Sequence, residues 1–275
     1  RLEVETPDGD KKIVIGVVSA IKDVSSGTKH NLKAALEWFK AEGVEWLVAN
    51  GDLALEEFDL EEVIDLLAEP ALPTLLVIGN SESTGSFART LKDRVEKHPH
   101  LINGVLVRQI LADDAELWTV PGYHDRRFVH QNAGCVYKEE DIEALASLTP
   151  AGDRPLVLVA HGPPRGKGKT ANDWIFDKQN VGDPMLNDLI KRKKIPFGLF
   201  GHILEAGGIG VGSDFSTRLS AGKTVGALHV NAGSLSGDPW QMNDGSTGTG
   251  MAMLVTIEGG KAKYAVKRFT PPTEE

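Results

Sequence analysis

Four apolar runs in this 275-residue chain each end in a residue that can bind a divalent cation. Trp46–Asn50 leads into Gly51-Asp52, residues 74–78 into Gly79-Asn80, Leu156–Ala160 into His161-Gly162, and Phe197–Phe200 into Gly201-His202. One carboxylate, one amide oxygen and two imidazoles suit a hard or borderline divalent ion. The neighbouring glycines let the backbone turn sharply where each run stops. Taken singly, each ending is weak, since an Asp after a strand usually serves a turn or a helix cap. A lone buried His is usually a hydrogen-bonded core residue. Four such endings in succession are a stronger pattern.

Such residues act together only if their runs are parallel strands of one sheet system, where ligands gather at the carboxyl ends. The sequence supports this. Residues 12–19, 46–49 and 74–78 are short β-branched or apolar runs, read as strands buried on both faces. Helical spacing separates them over 28–42, with Gly43 as a C-terminal stop, and over 59–68, ended before Pro70. Further on, 104–110 and 116–120 read as adjacent strands around Asp113-Asp114. Helices are expected over 139–148 and 184–192. Strands are expected over 156–160, 197–200, 225–230, 251–257 and 261–268, the last two forming a hairpin about Gly259-Gly260. Alternating strands and helices predict an α/β chain with a mostly parallel sheet. Residues 1–11 read as a loose polar lead-in, 12–270 as one domain and 271–275 as a tail.

In this order and context, Gly51-Asp52, Gly79-Asn80, His161, Gly201-His202 and the late Asn231-Ala232-Gly233-Ser234 resemble the calcineurin-like metallophosphoesterases. The resemblance covers about residues 12–270. It implies a layered β-sandwich flanked by helices, divalent metal and phosphoester substrates. The family pattern is D-x-H, then G-D, G-N-H-[DE], a lone His and G-H-x-H. Here Ala20 and Lys22 stand at the D-x-H positions, Ser81 replaces the His after Asn80, Glu82 keeps the acidic position, and Leu204 replaces the final His. By the resemblance, one ion would lose the D-x-H pair and the last His, while the other would keep Asp52, Asn80, His161 and His202. At most one divalent ion is therefore expected, as Mn, Fe or Zn.

A two-ion site activates a bridging hydroxide and clamps the phosphoryl oxygens. General acid help is worth roughly 10²–10⁴-fold, and Ser81 is a poor proton donor. The sequence is thus read as a degenerate metallophosphoesterase-like protein with weak, altered or absent hydrolysis and a binding or scaffold role. The alternative is an active mononuclear phosphoesterase. Candidate proton donors are His124 and Ser81. Candidate phosphate contacts are Lys22, Arg126 and Arg127, although a surface loop with an Asp–Arg pair explains Asp125-Arg126-Arg127 equally simply. Lys22 is read either as a cation replacing part of the missing ion's charge beside Asp52 or as a residue reaching solvent.

Two other motifs are set aside. Gly162-Pro163-Pro164-Arg165-Gly166-Lys167-Gly168-Lys169-Thr170 ends like a phosphate-binding loop, but Pro163 stands at the required first glycine and the prolines remove backbone donors. It is read as a flexible basic flap. Residues 206–212 are glycine-dense without a following helix and are read as a long loop.

The formal net charge of −9 argues against general nucleic-acid affinity. The expected partners are a phosphate ester or another protein. The single cysteine, Cys135, allows no internal disulfide. No apolar stretch approaches the ~20 residues of a membrane-spanning helix. The chain starts at Arg1, which suggests a trimmed N-terminus and leaves its compartment open.

Overall fold

A computed structural model describes residues 1–4, 9–130 and 133–270. The first half contains β1 (Leu2–Glu3), β2 (Lys12–Val18), α1 (Ser26–Ala41), β3 (Trp46–Asn50), α2 (Glu57–Ala68), β4 (Thr74–Val77), α3 (Thr84–Lys97) and β5 (Leu101–Asn103). Then come β6 (Gln109–Leu111), β7 (Glu116–Val120), α4 (Glu139–Ala146), β8 (Leu156–Ala160), β9 (Trp174–Ile175), β10 (Gln179–Asn180), α5 (Pro184–Lys193) and β11 (Phe197–Phe200). The last part holds β12 (Ile209–Val211), β13 (Arg218–Leu219), β14 (Leu228–Asn231), β15 (Trp240–Gln241), β16 (Thr247–Gly248), β17 (Met251–Glu258) and β18 (Lys261–Arg268).

Two large sheets face each other. One has the order β18-β17-β2-β3-β4-β5, with β2 to β5 parallel and β17 antiparallel to both neighbours. The other has the order β1-β6-β7-β8-β11-β14-β12-β13, and its centre, β7-β8-β11-β14, is parallel. Side-chain alternation along β2 explains the layering. Ile13, Ile15 and Val17 point into the core between the sheets, together with Trp46, Val48, Val157 and Leu199. Val14 and Val18 point the other way, onto α1, α2 and α3. Gly16 belongs to this outer face, where a Cβ would come within 2.9 Å of the Phe39 ring. A third cluster packs α4 and α5 on the second sheet. The architecture is the helix-flanked sandwich that the resemblance implies.

Several expectations need correction. The lead-in is not wholly loose, because Leu2 and Glu3 pair in parallel with Ile110 and Leu111. Residues 5–8 of the lead-in and the tail at 271–275 lie outside the described residues. Helix α3 has no counterpart in the sequence reading. Its buried face is only Phe87, Thr90 and Leu91, too thin a stripe to stand out, and its start is fixed by the Ser83 hydroxyl accepting from the Ser86 N–H at 3.1 Å. The run 104–110 is not one strand. It turns after Asn103, and the Arg108 guanidinium donates to the carbonyls of Gly104 and Val105. Residues 206–212 are not all loop, since Ile209–Val211 pairs antiparallel with β14 and β13. The segment after His161 is no free flap. Pro164 bridges to Asp183, the Lys167 N–H donates to Ser216 Oγ at 2.8 Å, and the Gly168 N–H donates to Asn180 Oδ1 at 2.7 Å.

Candidate metal centre

The two sheets meet at their carboxyl ends through Asn50. Its Nδ2 donates to the Ala160 carbonyl at 2.8 Å and the Leu199 carbonyl at 2.9 Å, so β3 of one sheet is tied to β8 and β11 of the other. Beside it, the Ser19 hydroxyl donates to the Asn50 carbonyl at 2.9 Å. Close approach here depends on glycine. A Cβ on Gly51 would lie 2.3 Å from His161 Nδ1, one on Gly79 would lie 2.4 Å from Asp52 Oδ1, and one on Gly201 would lie 2.1 Å from Ser19 Oγ. Asp52 and His202 themselves take positive φ, at 55° and 66°. Such a conformation is costly for ordinary residues and clusters at functional sites.

Asp52, His161 and His202 bring one ligating atom each to within 4.8 Å of one another. This is the one cluster of three His, Cys, Asp or Glu donors found among the described residues. Asp52 Oδ1 accepts from the N–H groups of Asn80 and Ser81, both at 3.1 Å. His161 Nδ1 lies 2.9 Å from the Asn50 carbonyl, and a proton there leaves Nε2 facing the site. That Nε2 is 3.2 Å from Asp52 Oδ1 and 2.8 Å from Asn80 Oδ1. Asn80 is oriented from behind, donating through Nδ2 to the Phe128 carbonyl at 2.7 Å. All four residues expected to hold an ion are therefore brought together at the strand ends. Asp52, Asn80 and His161 are in mutual contact, and His202 packs against His161 with ring centroids 5.0 Å apart.

Electrostatics follow from this packing. Burial opposes the charge on Asp52, but His161, and more weakly His202, outweigh it and hold the carboxyl well below the usual carboxylate range. Burial likewise opposes protonation of His161, yet Asp52 raises its pKa. Burial and the charge on His161 push His202 down to about 3. Burial, reinforced by Asp52, pushes Glu82 up to about 7. Glu82 accepts from the N–H groups of Leu53 and Gly79, so it braces the two loops that carry Asp52 and Asn80.

The donors fit a divalent ion. Asp52 Oδ1 and Asn80 Oδ1 converge within 3.2 Å of His161 Nε2, a set of lone pairs that an ion would answer. His202 Nδ1 is buried and has no hydrogen-bond partner, as expected of a group whose partner is not a protein atom.

The residues at the D-x-H and final-His positions of the resemblance lie outside this cluster. Ala20 is fully buried in a left-handed conformation, its N–H donating to the Gly51 carbonyl at 3.0 Å. Leu204 is buried at the start of a 3-10 turn, Leu204–Ala206. Lys22 lies close by through its backbone, its N–H donating to the Asp52 carbonyl at 3.1 Å. Its ammonium, however, sits over the Trp240 ring, 5.1 Å from the centroid, and makes no ion pair with Asp52. The ion-replacing role considered for Lys22 is therefore not what the geometry gives.

His124 packs beside Tyr123, with centroids 4.5 Å apart. Its Nδ1 has no partner, and burial lowers its pKa. Arg127 is tied to Asp125 at 2.5 Å, while Arg126 is exposed at the start of the 3-10 turn Arg126–Phe128. Ser81 contributes its backbone N–H to Asp52. Tyr123 escaped the sequence reading. It is buried with its ring 4.1 Å from that of His202, and a Cβ on Gly162 would lie 2.5 Å from its ring. Only its place within Gly122–Arg127 hinted at this.

No protein-family profile matches the chain, and no curated protein matches it. Solved structures do. TT1561 of Thermus thermophilus is 14% identical, matching 92% of this chain and 98% of its own, with a TM-score of 0.58. A dimetal phosphatase from Danio rerio is 11% identical over 94% of this chain and 99% of its own, with a TM-score of 0.56. GAP50, the anchor in the inner membrane complex of Plasmodium, is 12% identical over 97% of this chain and 87% of its own, with a TM-score of 0.53. At such identities the likeness is one of fold. The chain has the calcineurin-like metallophosphoesterase fold, with a three-residue metal-competent cluster at the carboxyl ends of its strands.

Proposed function

We propose that this chain recognises phosphorylated ligands on a phosphoesterase fold with at most one divalent ion, Mn, Fe or Zn. Asp52, Asn80, His161 and His202 would hold it. Hydrolysis is weak, altered or absent, and binding or scaffolding is the main role. The observation that carries this is the one donor cluster found among the described residues. By the resemblance, Asp52 would bridge both ions of the family's two-ion arrangement and His161 and His202 belong to one of them, while Ala20, Lys22 and Leu204 offer nothing to the other.

When bound, such an ion polarises a phosphoryl oxygen and acidifies its water. The chain's own residues set the conditions. Asn50 and Asn80 orient the His161 imidazole, and the backbone of Asn80 and Ser81 aims Asp52. Loading must displace a proton from His161, so affinity should weaken as pH falls. Binding is a role compatible with the fold, since GAP50 of that fold is named an anchor.

The alternative, an active mononuclear phosphoesterase, is favoured by the completeness of the four-residue set. Metal analysis after Mn²⁺ loading, with hydrolysis of nitrophenyl phosphate mono- and diesters, separates the two. One equivalent or none with negligible turnover supports the proposal. Robust turnover that disappears in His161→Ala supports the alternative, and two bound equivalents refute both.

A further inference from the structure

A concavity of ≈ 530 Å³ is lined in part by Glu205 and Gly207, within and just after the 3-10 turn that follows His202. None of Asp52, Asn80, His161 or His202 lines it. Its volume falls within the roughly 300–1,000 Å³ typical of small-molecule sites. Part of its lining is apolar, from Leu219, Tyr264 and Val266, and the Tyr264 hydroxyl is fixed by donating to the Leu219 carbonyl at 2.7 Å.

The charged lining is uneven. Lys169, Arg218 and Arg268 reach this one cavity from three separate segments: the loop after β8, strand β13 and the end of β18. Among the described residues none of the three forms an ion pair, and the one polar side-chain contact of Arg268 is with Ser246 Oγ at 3.4 Å. Two carboxylates share the lining, and Asp244 answers part of the cationic charge, since Arg268 and Arg218 help lower its pKa after its bonds to Ser246. Glu205 Oε1 accepts from the Phe176 N–H at 3.4 Å, and Asp244 Oδ1 accepts from the N–H and hydroxyl of Ser246 at 3.0 and 2.6 Å. In a chain carrying 39 acidic residues against 30 Lys and Arg, three cations with no ion pair among the described residues converge on one cavity, where Asp244 offsets only part of their charge and an anion would complete the set. Guanidinium forks match the planar oxygens of carboxylate and phosphate.

We propose that this cavity binds a small organic anion, a phosphate or carboxylate carrying an aromatic or aliphatic body, independently of the metal centre. The test is fluorescence titration with anilinonaphthalene sulfonate in the presence of EDTA. Wild type should bind saturably at one site. The exposed pair Arg218→Gln/Arg268→Gln should raise Kd by about tenfold or more, the usual effect of losing a charged hydrogen bond. Asp244→Asn, which keeps an acceptor for Ser246 but removes a negative charge, should tighten binding. It decides the matter if the double variant fails to fold. Displacement by ATP would assign an organic phosphate, and displacement by decanoate a carboxylate. Absence of saturable binding, displacement by neither ligand, or unchanged affinity in Asp244→Asn and the double variant would overturn the proposal.

Discussion

Acidification should destabilise this fold through His229, a residue of β14 outside the metal centre. Its side chain is almost wholly buried, stacked 6.2 Å from Phe200 and tilted 5.0 Å from Phe215, and its Nδ1 has no hydrogen-bond partner among the described residues. Burial alone lowers its pKa from 6.5 to about 3. The unfolded chain therefore takes up a proton below 6.5 that the folded chain refuses until about 3. Stability is complete above 6.5 and falls with pH through that window. At pH 5 the difference is about 1.5 pH units, or about 2 kcal/mol at about 1.36 kcal/mol per unit. For a chain of this size that corresponds to a fall of roughly 4–8 °C in Tm. Urea unfolding at pH 7.5 and pH 5, in EDTA, would be measured for wild type and His229→Leu. The substitution will cost stability at both pH values through altered packing, but its loss between them should be smaller by about 2 kcal/mol. His202 and His161 are common to both proteins and cancel in the comparison. Equal pH dependence in the two proteins would refute the reasoning, because it would mean that His229 titrates alike folded and unfolded.

Further outcomes follow from the Asp52–His161–His202 cluster. Gly79→Ala places a Cβ against the Asp52 carboxylate and backbone, so it should cost about 1–3 kcal/mol and reduce Mn²⁺ uptake, read by thermal melts and metal analysis. Lys22→Ala loses a partly exposed ammonium–indole contact and should change stability by at most about 1 kcal/mol in the same melts. Ala20→Asp, Lys22→His and Leu204→His together should allow a second equivalent of metal, whereas each alone should not, since one added donor does not complete a coordination shell. A second equivalent in a single variant would contradict this.

The candidate ligands were legible because a parallel strand that ends in Gly-Asp or Gly-His leaves a local sign in both composition and spacing. What holds them was not. Asn50 reads only as the last residue of an apolar run, yet its amide joins two sheets across 110 and 149 positions of sequence. Nothing local encodes that separation. Helix α3 was missed for a related reason. Its two large buried residues, Phe87 and Leu91, are one turn apart, and the rest of its surface is polar, so tertiary contact with α2 decides its state. The run 104–110 failed because its apolar residues, Val105 to Val107, meet a turn set by Asn103, whose carboxamide accepts from the Val105 N–H at 2.9 Å.

The fate of Lys22 shows why residue replacement alone could not say where its charge goes. The segment after β2 is fixed by backbone bonds that no side chain in the D-x-H positions has to supply. Ala20 and Lys22 donate to the Gly51 and Asp52 carbonyls, and Leu235 and Ser236 donate back to the Ser19 and Ala20 carbonyls. The Ser234 hydroxyl adds a bond to the Ala20 carbonyl at 3.1 Å. With the main chain held from both sides, residues 20 and 22 can change type without moving Asp52. The left-handed φ of 74° at Lys22 then helps set the direction of its side chain, and Trp240 receives the ammonium. All of these bonds are made between protein atoms. Metal removal should therefore act on Asp52, Asn80, His161 and His202 while leaving the strand ends in place, an outcome that amide hydrogen exchange of residues 19–22 with and without EDTA would reveal as unchanged protection.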